Sequence, residues 1–355
     1  MGARTGSKLG LALLVIVLVG GCTSARMAAV NARLGLQSDR EPVRAAAVPP
    51  ELAGVLNSLY REGAEAIRNN QLDTALAAWR EYARLAPTQL AQARAVRGYL
   101  TLLEREAAKR FAKQAMATEK ASGFLQTDRY HVALLPFRSK TDAGDGRAKP
   151  FNRAIQAMVA TDLAQVPALT ILERDKMDYL LRELSLGESG LVDPASAARA
   201  GRMLGAGTLV AGVVYNEANA YGGYDPYQTG YTGRYTISTA VSDVDQGRVL
   251  GVQDAVGWQY NYFELEKQVV HGILDTLGIK DYPAAVDRIH TRNWEAYAKF
   301  TLGLKLLDED RFEEARQAFY DALVLDPDFA LAESSYLATP AGGQSLEQLK
   351  SGAAR

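Results

Sequence analysis

The chain has 355 residues, 48% of them hydrophobic and 23% charged, with 12 prolines; this is the balance of a folded protein of two or three units, not of a disordered or collagen-like one. Forty basic residues against 41 acidic ones leave a formal net charge of −1, which removes any global pull toward nucleic acid or anionic lipid. One cysteine and three scattered histidines, His131, His271 and His290, exclude an internal disulfide framework and speak against a Cys/His zinc cluster.

Residues 9–19 read LGLALLVIVLV, without a charge, after Arg4 and Lys8 and before Val19-Gly20-Gly21-Cys22. The run is too short for a membrane-spanning helix, which needs about 20 apolar residues, and its flanks are those of a signal peptide. The lone Cys22 directly after small residues resembles the lipobox of bacterial lipoproteins. The resemblance implies that residues 1–21 are removed, that the Cys22 thiol takes a diacylglyceryl group and that its new amino group is acylated; no other cofactor is expected. Thr23, rather than aspartate, follows the cysteine, which in such lipoproteins implies the outer membrane, with the body on the periplasmic side. Residues 22–50, ending in Val48-Pro49-Pro50, read as a tether.

Residues 51–125 are rich in Ala, Leu, Arg and Glu, with apolar residues at helical steps such as Leu72, Leu76 and Trp79. Gly63, Ala75, Trp79 and Pro87 recur as Gly303, Ala315, Phe319 and Pro327 with identical spacing. Small residues suit helices that cross closely, an aromatic fills the gap beside them, and proline stops the second helix. The spacing resembles the tetratricopeptide repeat, with copies in 51–125 and 292–340. Such repeats serve either as a groove for a partner's segment or only as caps and self-association surfaces. Residues 341–355 read as a flexible tail.

Between them, residues 130–280 change texture. Val132–Phe137 predicts a buried strand, Phe151–Leu163 a helix, Leu169–Leu172 a strand, Met177–Leu184 a helix, and Pro194 to about Gly205 another helix. Three strands follow: one opening at Gly205, one carrying Tyr235, Ile237, Thr239 and Val241 on one face, and one carrying Leu250, Val252, Val256 and Trp258, joined to it by the turn Asp245–Arg248. A helix with Leu265, Val269, Ile273 and Leu277 closes the domain. The order β-α-β-α-α-β-β-β-α, with VALLPF, LTILERDKMDYLLREL, LGAGTLVAGVV and VSDVDQGRVLG, resembles the CsgG family. The fold class that follows is a CsgG-like α/β central domain with a mixed sheet, flanked by helical tetratricopeptide-like segments. The resemblance implies an envelope-anchored domain that assembles with envelope proteins or with copies of itself. In the secretion member of that family two long hairpins build a barrel; here a second hairpin is missing, and Gly222-Gly223, Asp225-Pro226 and Gly230 make Asn216–Arg234 a loop.

Tyr221, Tyr224, Tyr227, Tyr231 and Tyr235, interleaved with glycines, form a candidate partner-binding loop, since tyrosine offers a rigid amphipathic surface at low entropy cost; a hairpin tip without a ligand is the other reading. Asp142–Gly146 lacks the ligand spacing of a calcium loop and reads as a turn. Lys149-Pro150-Phe151-Asn152 stands where the secretion family has its constriction loop and reads as a helix start. No nucleophile is placed beside a base and no phosphate loop precedes a helix, so no enzyme, metal or nucleic-acid partner is expected. The expected function is a non-catalytic outer-membrane adaptor or assembly platform for envelope proteins, with homo-oligomerisation open, the alternative being a subunit of a curli-like secretion channel.

Overall fold

The computed structural model describes residues 25–36, 48–122, 127–139, 149–184, 194–216, 233–341 and 344–351. Cys22, Tyr221, Tyr224, Tyr227, Tyr231 and the Asp142–Gly146 turn lie outside the described residues. The chain forms two compact units, one from Met1–Leu100 with Phe312–Arg355 and one from Thr101–Arg311. The helical segments expected as 51–125 and 292–340 are thus divided otherwise: the N-terminal segment ends its unit at Leu100, and the C-terminal one is cut between its two helices.

The first unit holds α1 (25–34), α2 (Pro50–Arg68), α3 (Leu72–Leu85), the start of α4 (Ala91–Ser122), α10 (Phe312–Leu325), α11 (Ala330–Ala338) and α12 (Leu346–Ser351). Pro50 starts α2, where a missing N–H is harmless, and α3 stops before Pro87. Gly63 on α2 faces Trp79 on α3 so closely that a Cβ there would enter the indole ring. Trp79 Nε1 donates to the Tyr60 carbonyl at 3.2 Å, and the Tyr60 ring stacks on the indole at 5.9 Å. Two expectations are corrected. Within the span read as a tether, residues 25–34 are helical and bury Val30 and Leu34. Within the span read as a flexible tail, α12 buries Leu349. Both segments are short and weakly patterned, and tertiary burial decides their structure.

The second unit is built on a six-stranded sheet of β1 (Asp128–Leu134), β2 (Arg138–Ser139), β3 (Thr170–Ile171), β4 (Ala206–Asn216), β5 (Arg234–Asp243) and β6 (Arg248–Trp258) in the order β3-β1-β4-β5-β6, with β2 also on β4. β1 runs parallel to β3 and β4, whereas β4, β5 and β6 form an antiparallel meander. The parallel connections carry α5 (Lys149–Leu163), α6 (Arg174–Glu183) and α7 (Pro194–Leu204), as crossovers require. Gln156 of α5 donates to the Leu134 and Leu135 carbonyls, satisfying them where β1 leaves the ladder. After β6 come α8 (Tyr262–Leu277), ended by Gly278 in the left-handed region at φ 77°, and α9 (Trp294–Asp308), whose first turn is capped by Asn293 accepting from the Ala296 N–H at 3.1 Å.

α5 and α8 cover one face of the sheet. On the other, Met177, Leu180 and Leu181 of α6 and Ala200 and Met203 of α7 pack on Ala133, Leu209 and Val244. Among the described residues no helix is long and apolar enough to cross a membrane.

Candidate functional site

The β5–β6 end of the sheet carries the most unusual surface. Alternation of Leu250, Val252, Val256 and Trp258 would ordinarily mark a core face, yet the structure turns it outward. The residues of β6 that meet α8 are Gly251, Gln253, Ala255 and Gly257: a Cβ on Gly251 would press on Thr276, and one on Gly257 would meet Leu265 and Asn261. The helix lies too close for anything large. The bulkier side chains therefore stay on the open face, where Val252 is 65% exposed, Trp258 46%, Val256 42% and Val213 of β4 38%. The strand registers join them, since Val213 lies opposite Ser238 and Ser238 opposite Asp254 between Val252 and Val256. Ser238 Oγ donates to Asp254 Oδ1 at 2.5 Å. β6 ends the sheet among the described residues.

Tyr235, the only one of the five tyrosines described, does not belong to a free loop. It sits on β5 facing the helix layer, 4.9 Å from the Tyr262 ring and 6.0 Å from Trp294. Tyr262 and Tyr297 place their hydroxyls 3.3 Å apart, and Tyr297 donates to the Phe151 carbonyl at 3.1 Å. Burial pushes both phenols above their ordinary range. Phe151, at the helix start read from Lys149–Asn152, stacks on Trp294 at 5.8 Å and so joins α5 to α9.

Beneath this aromatic layer the structure assembles a cluster that no local pattern announced. Asp162 of α5, Glu266 and Lys267 of α8, and His290 before α9 converge. The Lys267 ammonium contacts Asp162 Oδ2 and lies 3.0 Å from Glu266 Oε2, while His290 Nε2 is 3.1 Å from Asp162 Oδ1. Burial works to raise the Asp162 carboxyl, but the hydrogen bond and charge of His290, aided by Glu266 and Lys267, hold it below its ordinary value. Glu266 goes the other way: burial and the neighbouring Asp162 charge push it well above the carboxylate range, and Lys267 only opposes this. Asp162, Glu266 and His290 offer ligand atoms within 4.8 Å of one another. Lys267, however, already supplies between the carboxyls the positive charge that a metal ion would bring, so the donor set fits a charge-balanced core cluster better than a metal centre.

A second polar knot ties α5, α6 and α9. Asp308 accepts from Arg153 and Arg174 at 3.2 Å each, and Arg174 also meets Asp175 at 2.7 Å and Asp178 at 3.0 Å. Burial would raise Asp308, but the two guanidinium groups hold it low; at Asp178 burial wins and the carboxyl is raised. His271 Nε2 is 2.6 Å from Asp287 Oδ1 at an exposed position, with Tyr282 stacked on the ring.

The repeat residues lie where helices pack or end. Gly63, Ala75 and Trp79 are buried in the first unit, and Ala315 and Phe319 are buried on α10. Gly303 is buried on α9 of the second unit. Pro87 and Pro327 follow the ends of α3 and α10.

With this geometry in hand, residues 111–230 match the family described as curli production assembly/transport component CsgG. The α/β part of the chain is CsgG-like. The match runs from α4 through β4 and stops before β5, β6 and α8. A solved structure of the LpoB C-terminal domain from Salmonella enterica is 13% identical, with 42% of this chain and 96% of that chain covered, at a TM-score of 0.25; a likeness of that size carries no argument. No curated protein matches the sequence.

Proposed function

We propose that this chain is a non-catalytic outer-membrane lipoprotein, held by acyl groups on Cys22, whose CsgG-like domain and helical unit serve on the periplasmic side as an adaptor or assembly platform for envelope proteins. The observation that carries the reading is the match of the α/β domain to a family described as an assembly/transport component. The position of Cys22 behind residues 9–19 supports the anchor, and two or more acyl chains give stable attachment where one gives only marginal binding. The close packing of Gly63 against Trp79 supports a tetratricopeptide-like reading of α2 and α3, which would offer a groove to a partner's helix or extended segment.

The anchor is tested by labelled-palmitate incorporation. The wild-type chain is expected to take up label and fractionate with the outer membrane, and Cys22→Ser to do neither; label retained in the serine variant sinks the reading. Crosslinking in intact envelopes, with and without residues 217–232, then identifies which proteins it gathers. Detergent-extracted particles that image as rings around a membrane-embedded barrel would replace the adaptor by a secretion-channel subunit.

A further inference from the structure

We propose that residues 278–293, the segment joining α8 to α9, form a pH-sensitive strap, clipped to α5 and α8 through histidine–carboxylate contacts on the acid side of neutrality and released on the alkaline side. The proposal stands apart from the anchor and adaptor reading and depends only on the geometry of the second unit.

The segment has little regular structure of its own. The Val286 N–H donates to the Pro283 carbonyl at 3.0 Å and the Arg288 N–H to the Ala285 carbonyl at 3.1 Å, around the single turn Ala284–Asp287. Side chains fasten it to the helices. Asp287 Oδ1 lies 2.6 Å from His271 Nε2 of α8, His290 Nε2 lies 3.1 Å from Asp162 Oδ1 of α5, and Arg292 pairs with Glu264 of α8. Val286 and Thr291 of the strap are buried. Two of the three histidines of the chain thus sit at its clips. An imidazole changes charge between about pH 5 and 8, whereas a guanidinium keeps its charge. Both histidine clips are therefore ion pairs only on the acid side.

The buried clip is the more sensitive of the two. Asp162 Oδ1 also accepts from Gln165 at 3.3 Å, Oδ2 is taken by the Lys267 ammonium, and Glu266 lies beside both. Glu266 is fully buried, and neither of its oxygens accepts a well-aligned hydrogen bond. The four titratable groups balance when one proton is shared between Glu266 and His290. On Glu266 it leaves Asp162 facing Lys267; on His290 it sets two cations against two anions. Once that proton leaves, Asp162 and Glu266 are both negative and Lys267 alone opposes them. A buried charge without compensation is costly, and lifting the strap admits water to it. That burial pushes Glu266 well above the carboxylate range accords with a proton retained past the ordinary limit. At the exposed clip, His271 faces Asp287 and the Tyr282 ring of the strap, with Lys267 and Asp275 one turn away on α8 itself. Closed, the strap retains protons that it gives up when open, so rising pH favours the open form.

Hydrogen–deuterium exchange resolved by peptide tests this on the full-length chain in mild detergent, at labelling times too short for β4 and β5 to exchange. Between about pH 6 and about pH 9, peptides carrying the Val286 and Arg288 amides are expected to speed up about tenfold or more beyond the change in intrinsic rate, since each released proton gives up to about tenfold per pH unit. Glu266→Gln combined with His271→Gln keeps an amide near the original polar atoms without a titration, and is expected to flatten this dependence. Strap amides indifferent to pH, strap amides that exchange only together with those of β4 and β5, or an undiminished pH dependence in the double variant would each overturn the proposal.

Discussion

Lys267 serves two acids of opposite temper. The hydrogen bond and charge of His290 hold Asp162 below its ordinary value while burial pushes Glu266 well above its own, so the ammonium pairs with the Asp162 carboxylate and burial favours the neutral form of Glu266. Removing the ammonium strands a buried negative charge, and Lys267→Met is expected to lose about 3–5 kcal/mol of stability in denaturant titrations. Glu266→Gln keeps the shape without the titration. Because the folded value of Glu266 lies above the ordinary 4.5, its contribution to stability is present below that pH and is lost as pH rises through the folded value. Asp162, lowered from 3.8, contributes above that pH and loses its contribution as pH falls through its folded value. Unfolding measured from pH 4 to 9 is therefore expected to show stability falling as pH rises above 4.5 in wild type and a flatter profile in Glu266→Gln. A steeper alkaline decline in the variant would contradict this. None of the cluster was legible beforehand, because Lys267 and Asp162 stand 105 residues apart and neither lies in a pattern of its own. His290 was visible only as one of three scattered histidines.

At the scale of elements the pattern sets the order, while a close helix decides which face of a strand is covered. The helix–strand order of the second unit follows from the period of its apolar residues, with only the two-residue β2 added. On β5 the alternation of Ile237, Thr239 and Val241 does mark the buried face. On β6 the bulky residues Val252, Val256 and Trp258 stand on the open face instead, because α8 lies against Gly251 and Gly257. Gly257→Val should therefore destabilise the second unit, by about 1–3 kcal/mol, whereas an equal enlargement at exposed Val256 should be nearly neutral. The pairing of α2 with α3 rests likewise on a missing side chain: Gly63→Ala forces a methyl into the Trp79 indole and is expected to cost about 1–3 kcal/mol and to alter the tryptophan fluorescence of the folded state. Unchanged melting of both variants would show that the helices can draw apart at no cost.

For the whole molecule, the division into units was not legible. Helical texture at both ends suggested two separate segments, but the first unit is made from both. Asn31 Oδ1 accepts from the Tyr320 hydroxyl at 2.9 Å, Arg33 meets Glu333 at 3.1 Å, and Gln344 donates to the Ala95 carbonyl at 3.0 Å. Contacts of such separation leave no periodic trace in a sequence. A chain ending after Arg311 is expected to keep the thermal transition of the second unit while losing the protection of Trp79 against quenchers; both transitions surviving intact would refute the shared construction. The interleaving also sets a timetable. Synthesis delivers the amino end first, so the first hundred residues emerge with their hydrophobic partners still unmade, while residues 101–311 can settle completely before the closing helices arrive. Until the segment from Phe312 onward appears, Asn31, Arg33 and the close-packed Gly98 lack Tyr320, Glu333, Pro340 and Gln344 against them, and it is in that interval that a holding chaperone has something to grip.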